Sequence, residues 1–317
     1  MATLIVLCGL QCSGKSTKSK QIKLNCDSLN INKRTIILSS DEIRKEYPDL
    51  TNDKVFSKLY SDMNYWLRQD DNVIIDATNT TIKSRAQIFR NLQVNCTKIC
   101  HVMNVNYDEC LKRLRVRNQN KNNHFVPEEI LKKYYYSFEI PFYEEGWDNI
   151  TFEFIPDYNK SLIYLSNSLA VMETFNQKNL HHTQLLGKHC ETVGKLIYER
   201  TNNKLLEYVG KFHDVGKLYT QTYKENDPNA HYYNHANVGT YNLMCNSFVY
   251  KDSNSYDIID TLDWLFYINY HMHLFNVKSE KSEKKWRSIF SDKKYDNLKI
   301  FNECDKSRID DEENKNR

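Results

Sequence analysis

Short apolar runs alternate with helix-period patterns through the first half of the chain, and the alternation stops after about residue 158. The runs LIVLC (4–8), TIIL (35–38), NVIID (72–76), KICHVMNV (98–105) and ITFEF read as strands buried on both faces, nearly continuous in apolar residues. Between them, apolar residues recur at three- and four-residue spacing, the period of a helix. This order predicts an α/β domain over residues 1–158, a parallel sheet with flanking helices. Beyond it LGKHCETVGKLIYER, KLLEYVGKFHD and YDIIDTLDWLFYINYH read as helices and predict an all-α domain over 180–307, with the boundary in the polar QKNL (177–180). The charged residues 308–317 lack aromatics and are expected to fray.

Composition narrows the class. The 317 residues, 40% apolar with 22 Tyr, can fill two packed cores. A net charge of +3 is too mild to argue nucleic-acid binding from charge alone. Nine cysteines with no CxxC pair suit a reducing, cytoplasmic compartment. The Asn- and Lys-rich wording suits an AT-rich, viral coding sequence. MATLIVLCGLQC does not read as a secretory leader, and no apolar run reaches the roughly 20 residues of a membrane span, so no membrane partner is expected.

GLQCSGKS (9–16) follows the first strand and precedes a helical pattern, the context that GxxxxGK[ST] requires. Its glycines let backbone N–H groups turn onto phosphates at a helix N-terminus. Gly9, Ser13, Gly14, Lys15, Ser16 and Thr17 form the expected ATP-binding set, with Lys15 on the β/γ oxygens and the Ser16 hydroxyl on Mg²⁺. Where the terminal phosphate goes is a separate question. In SSDEIRKE, Asp41 falls at a strand's carboxyl end, where it could take an acceptor hydroxyl's proton, and Arg44 could hold an acceptor phosphate. The same letters also read as an ordinary helix start, with Ser40 capping and acids in the first turn. VIIDATNTTIKSR ends a strand at Asp76 and continues through Thr78 and Asn79 to Arg85. DECLKRLRVRN sets Arg113 and Arg117 one turn apart, and NQNKNNHF then leads to a Pro-started helix, a pattern suited to a basic lid.

Together GLQCSGKST, SSDEIR, DATN and KRLRVR followed by VPEEIL resemble the phage-type polynucleotide 5′-hydroxyl kinases over about residues 1–145. The resemblance implies Asp41 as general base, Arg44 at the acceptor strand's phosphate with Thr78 and Asn79 on the acceptor side, and Lys15 with Ser16 at the ATP phosphates. It implies Arg113 and Arg117 as lid arginines on the donor. Such enzymes commonly place an Asp directly before the Thr-Asn pair. This chain has Ala77 there and Asp76 one position earlier, which leaves the role of Asp76 open.

Eight of the ten histidines lie between 181 and 273. His213 follows Val209 by one turn in KLLEYVGKFHD, His189 precedes Val193 and Leu196, and Asp305 shares a face with Leu298 and Phe301. A lone buried histidine is more often a hydrogen-bonded core residue. Imidazoles and carboxylates converging from separate helices suit divalent cations instead, with Asp214 bridging two and His235 and His271 serving the second. Lys217, one turn after His213, could hold a phosphate oxygen. The order His189, His213–Asp214, His235, His271, Asp305 resembles the HD-superfamily phosphohydrolases over residues 180–307. FHDVGK, YYNHANVG and INYHM look like the HD domains appended to bacterial tRNA nucleotidyltransferases. That resemblance implies phosphomonoesterase and 2′,3′-cyclic phosphodiesterase action with Mn²⁺, Ni²⁺ or Co²⁺. His181, His182, His231 and His273 are expected outside the ligand set.

The expectation is a bifunctional enzyme that heals RNA or DNA ends, with cleaved tRNA as an example and a ligase acting afterwards. A nucleoside or small-molecule kinase fused to an HD nucleotide phosphohydrolase is one rival. A non-catalytic ATP-binding interaction module with a structural metal is the other.

Overall fold

A computed structural model describes residues 1–29, 33–120, 125–178 and 184–306. The chain divides into two compact units, Met1–Pro156 and Asp157–Arg317.

The first unit runs β1 (Thr3–Cys8), α1 (Lys15–Leu29), β2 (Thr35–Ser39), α2 (Ser40–Glu46), α3 (Asn52–Arg68), β3 (Asn72–Asp76), α4 (Ile82–Asn91), β4 (Thr97–Val102), α5 (Tyr107–Gln119), α6 (Glu128–Tyr136) and β5 (Asn149–Phe152). The strands form one parallel sheet in the order β2-β3-β1-β4-β5, with Leu4 opposite Val73 and Lys98. Val6, Leu7, Val73 and Ile74 are fully buried, as expected of central strands covered on both sides. Because every strand points the same way, the ends of β1, β2 and β3 open on one edge. The chain turns to opposite sides of β1, and that switch point is where an α/β sheet receives ligands. The fourth strand is shorter than KICHVMNV suggested. It stops at Val102, because the Val105 N–H bonds back to the Met103 carbonyl (2.9 Å) and turns the chain.

Buried Arg85 braces this edge. Its guanidinium donates to both Glu145 oxygens (2.7 and 2.6 Å) and to the carbonyls of Asn79, Glu139 and Ile140. A buried ion pair survives only when its remaining donors are also satisfied, and here several are.

The second unit comprises α7 (Tyr158–Thr174), α8 (Leu186–Thr201), α9 (Lys204–Phe212), α10 (Lys217–Thr220), a hairpin of β6 (Thr222–Tyr223) and β7 (Ala230–His231), then α11 (His235–Asn246), α12 (Ile258–Tyr270), α13 (Glu280–Phe290) and α14 (Asp292–Lys306). It begins ahead of 177–180, because α7 packs on α8: a Cβ on Gly187 would lie 2.9 Å from the Glu173 backbone. Residues 179–183 and 307–317, including the ends of the expected linker and tail, lie outside the described residues.

Helices α8 and α9 touch backbone to backbone where Gly194 meets Gly210; a Cβ at Gly210 would stand 2.5 Å from the Gly194 Cα. Gly216 makes a similar contact with Gly239 and the His235 carbonyl. These contacts leave no room for a side chain, and they seat the His213–Asp214 corner against α8 and α11.

Gly210→Ala is expected to cost about 1–3 kcal/mol through overpacking, read as a lower urea midpoint at unchanged slope. Arg85→Leu leaves Glu145 buried without its partner and is expected to cost about 3–5 kcal/mol in the same measurement.

Candidate functional sites

At the end of β1 the Gly9 N–H bonds to the Thr78 carbonyl (2.9 Å), and a Cβ on Gly9 would collide with Met103. Cys12 and Gly14 take left-handed backbone (φ 61° and 96°), so the loop curls over the start of α1. Lys15 folds back and donates to the carbonyls of Gly9 (3.1 Å) and Leu10 (2.6 Å). Burial pushes its ammonium below the ordinary lysine range, against the pull of the Asp76 carboxylate. Ser13 is buried, and its hydroxyl has no hydrogen-bond partner among the described residues.

Asp76, which sequence reading left without a role, faces this loop from the end of β3. Burial raises its carboxyl above the ordinary range, while a hydrogen bond with Ser16 and the charge of Lys15 work the other way. Asp41 lies within the electrostatic reach of both Lys15 and Asp76. Ser16, Lys15, Asp76 and Asp41 therefore converge on one loop. The signal for Asp76 was its position, a carboxylate ending a strand beside β1.

Helix α2 is capped by Ser39, whose Oγ accepts from the Glu42 N–H, rather than by Ser40. Asp41 sits in its first turn, as the helix-start reading expects. Arg44 reaches back to Asp41 (Nη1 to Oδ1, 3.2 Å). Asn79 departs from its expected place on the acceptor side. It is buried at φ 46°, and its amide donates to the carbonyls of Leu7 (2.9 Å) and Ala77 (3.3 Å), fastening the loop to the sheet. Thr78 is half-buried and serves Gly9 through its carbonyl. Arg113 pairs with Glu109 (2.7 Å) and brings Nη1 to 3.9 Å from where a Gly14 Cβ would stand, which sets it over the loop. Arg117 is one turn further along α5, half-exposed. Residues 121–124 of the expected lid lie outside the described residues.

The second cluster centres on Asp214. Asp214 Oδ2 lies 3.3 Å from His213 Nε2, 3.7 Å from His189 Nε2 and 2.6 Å from Lys217 Nζ. Asp214 Oδ1 lies 3.0 Å from His235 Nε2 and 3.6 Å from His271 Nε2. Asp305 joins the first group, 3.1 Å from His189 Nε2 and 3.5 Å from His213 Nε2. Local backbone aims three of these rings: Nδ1 of His213, His235 and His271 meets the carbonyl three residues earlier, at 2.8, 2.8 and 2.7 Å. A carbonyl only accepts, so each Nδ1 carries a proton and each ring turns its Nε2 inward toward Asp214.

That arrangement fits metal ligation. The Nε2 atoms of His235 and His271 stand 3.2 Å apart, and two lone pairs at that distance repel unless a proton or cation lies between them. Nε2 of His213 is buried with no hydrogen-bond partner among the described residues. His189, His213 and Asp214 form one group with ligand atoms within 4.8 Å of one another, and Asp214, His235 and His271 form a second. Burial pushes the Asp214 carboxyl up, but Lys217, His213 and His235 together hold it well below the carboxylate range. Burial pushes His213 down, and the Asp214 carboxylate more than reverses this. Lys217 meets Asp214 Oδ2 (2.6 Å) and the Gln177 Oε1 (2.8 Å), so its contact here is with the buried carboxylate. His231 pairs with Asp227 (2.8 Å), and His273 packs on Trp286; His181 and His182 lie outside the described residues.

Residues 4–141 match the family model described as an AAA domain. A curated relative, the L-seryl-tRNA(Sec) kinase of Methanococcus maripaludis, is 29% identical over 185 residues, covering 55% of this chain and 68% of its own. Among solved structures, a chain of "Structure of the Pnkp1/Rnl/Hen1 RNA repair complex" is similar with TM-score 0.36 and 21% identity; the match covers 42% of each chain, less than half of that protein's length. A gluconokinase from Sinorhizobium meliloti 1021 is similar with TM-score 0.33 and 15% identity, over 47% of this chain and 81% of its own. The matched residues 4–141 fall within the first unit, whose five-stranded parallel sheet is flanked by helices. Among the described residues no helix is long and apolar enough to cross a membrane.

Equilibrium dialysis against Mn²⁺ is expected to find ions held by the Asp214 cluster. Asp214→Asn should weaken binding by more than the roughly 10–100-fold that follows loss of an outer partner. His271→Ala should remove the weaker component and spare the ion at His189 and His213.

Proposed function

We propose that this chain is a bifunctional end-healing enzyme acting on RNA, an ATP-dependent 5′-hydroxyl kinase joined to a metal-dependent 3′- and 2′,3′-cyclic phosphatase. The observation that carries the reading is that each compact unit holds its own set of phosphate-handling groups: Lys15, Ser16, Asp41 and Asp76 in one, the Asp214 cluster in the other.

In the kinase unit the N–H groups of residues 9–17 would cradle the ATP phosphates. Lys15 would exchange its two loop carbonyls for phosphate oxygens. Asp41 takes the acceptor hydroxyl's proton as that oxygen bonds to the γ-phosphorus, the β–γ bridging bond breaks, and ADP departs. Ser16 and Asp76 are the residues that would hold Mg²⁺, which spreads phosphate charge when bound. Arg113 faces the donor from above Gly14. The 29% identical relative is named for an acceptor carried on tRNA, which supports an RNA-borne hydroxyl here.

In the second unit His189, His213, Asp214 and Asp305 would hold one divalent cation, and Asp214, His235 and His271 another. Bound there, such cations supply an activated water and neutralise the departing oxygen. The protein's own part is orientation: the carbonyls of Gly210, Tyr232 and Ile268 fix three rings, and Lys217 keeps Asp214 ionised. Ends processed this way are substrates for a ligase.

One RNA oligonucleotide bearing 5′-OH and 2′,3′-cyclic phosphate ends tests both halves. With ATP and Mg²⁺ it should gain a 5′ phosphate, and with Mn²⁺ or Ni²⁺ it should lose the 3′ phosphate. Lys15→Ala should abolish only the first reaction and Asp214→Ala only the second. Asp41→Asn should slow phosphorylation by about 10²–10⁴-fold. Transfer to free nucleosides with none to oligonucleotides would refute the reading.

A further inference from the structure

The hairpin of β6 and β7 spans two residues on each side, too few to stand alone in water. Three hydrogen bonds tie it down. The Ala230 N–H meets the Lys178 carbonyl (2.8 Å), the Tyr232 hydroxyl donates to the Gln177 carbonyl (2.6 Å), and Gln221 Nε2 donates to the Tyr232 hydroxyl (2.8 Å). Thr222 lies opposite His231, and Tyr223 opposite Ala230. Side chains alternate along a strand, so Tyr223 and Ala230 share a face, and the same register carries Gln221 and Tyr232 onto it.

That face leads back to the Asp214 cluster. Lys217 Nζ stands 5.5 Å from the centre of the Tyr232 ring and 2.6 Å from Asp214 Oδ2. At the outer end of the face Tyr223 is 51% exposed, and its ring meets no other ring or cation among the described residues. Tyr233, on the face of His231, is also half-exposed but already engaged. The His231 ring lies against it (5.5 Å, 5° between planes), and Lys224 Nζ approaches to 5.6 Å. Tyr223 is thus an aromatic surface left open beside the cluster.

We propose that Tyr223 stacks on the base of the nucleotide whose 3′ phosphate the Asp214 cluster receives, and so makes the second unit prefer base-bearing phosphate esters to bare sugar phosphates. The inference rests on the proposed phosphatase reading and deepens it. The order of groups along the face matches the order within a nucleotide: the cluster for the phosphate, the Tyr232 ring between, and Tyr223 for the base. Stacking needs only a π face, which every base has, so the contact is indifferent to base identity. A tyrosine has few torsions to freeze and offers its contact area at small entropic cost. Tyr223 places the substrate and leaves the reacting atoms to the cluster.

The test compares kcat/KM for the four nucleoside 3′-monophosphates and for ribose 3-phosphate, which lacks a base, using the full chain with Mn²⁺. The wild-type protein is expected to favour all four nucleotides over the sugar phosphate, with little difference among bases. Tyr223→Ala should lower that preference about five- to fiftyfold, through KM rather than kcat. Tyr223→Phe and Tyr223→Trp should keep it, whereas Tyr223→Leu should not, since an aliphatic chain offers no π face. Equal losses on nucleotides and sugar phosphate would overturn the stack, because a general structural fault moves both. The wild-type preference in Tyr223→Leu, or a strong choice of one base, would overturn it as well. Each of those results leaves the phosphatase reading standing. Hydrolysis of none of these esters, nor of a 3′-phosphorylated RNA, by the wild-type protein would overturn the phosphatase reading itself.

Discussion

A charge withdrawn from water must meet fixed partners or be neutralised, and the functional groups of this protein are arranged around that requirement. Asp214 shows it most fully. The carboxylate is buried, faces Lys217 at one oxygen, and is ringed by imidazole nitrogens on both sides. Without the lysine and the imidazoles, burial would drive it to the neutral acid, which is a poor ligand. The opposing charges keep it ionised, and the Gly216–Gly239 contact keeps it in place. Arg85 and Glu145 answer the same requirement in the other unit, although there the product is a braced loop.

The parallel sheet turns the same physics to a different end. All of its strands finish on one edge, so Ser16, Asp41 and Asp76, far apart in sequence, come within electrostatic or hydrogen-bond reach there. Lys15 is folded into that space, where it meets the loop carbonyls of Gly9 and Leu10. Asn79 contributes by pinning the loop from below. Its left-handed backbone turns its amide inward onto the Leu7 and Ala77 carbonyls.

Much of this was legible because the signals were local. Continuous apolar runs mark the five strands, GLQCSGKS carries its own strand-loop-helix context, and the clustering of histidines on helices with apolar faces points to Asp214. What stayed hidden depends on partners distant in sequence. The approach of Asp76 to Ser16 needs β3 to lie beside β1, a matter of sheet order. The inclusion of α7 in the second unit follows from glycine packing at the start of α8, which no apolar period announces. The contact of Lys217 with buried Gln177, forty residues upstream, is likewise invisible in the sequence spacing that sets Lys217 one turn after His213.

Placing the two sites in separate compact units suits the opposed needs of the proposed reactions. Phosphoryl transfer to a hydroxyl must keep water from the γ-phosphorus, whereas hydrolysis must deliver water to phosphorus. A single pocket could not satisfy both, since the groups that expel water for one reaction would starve the other. The groups differ accordingly: in the proposed reading, backbone N–H groups and a lysine at the helix start would cradle a polyphosphate, whereas the imidazole nitrogens around Asp214 would hold cations. The convergence of imidazole Nε2 atoms around Asp214, with those of His235 and His271 3.2 Å apart, distinguishes the cluster of the second unit from the lysine-bearing loop of the first.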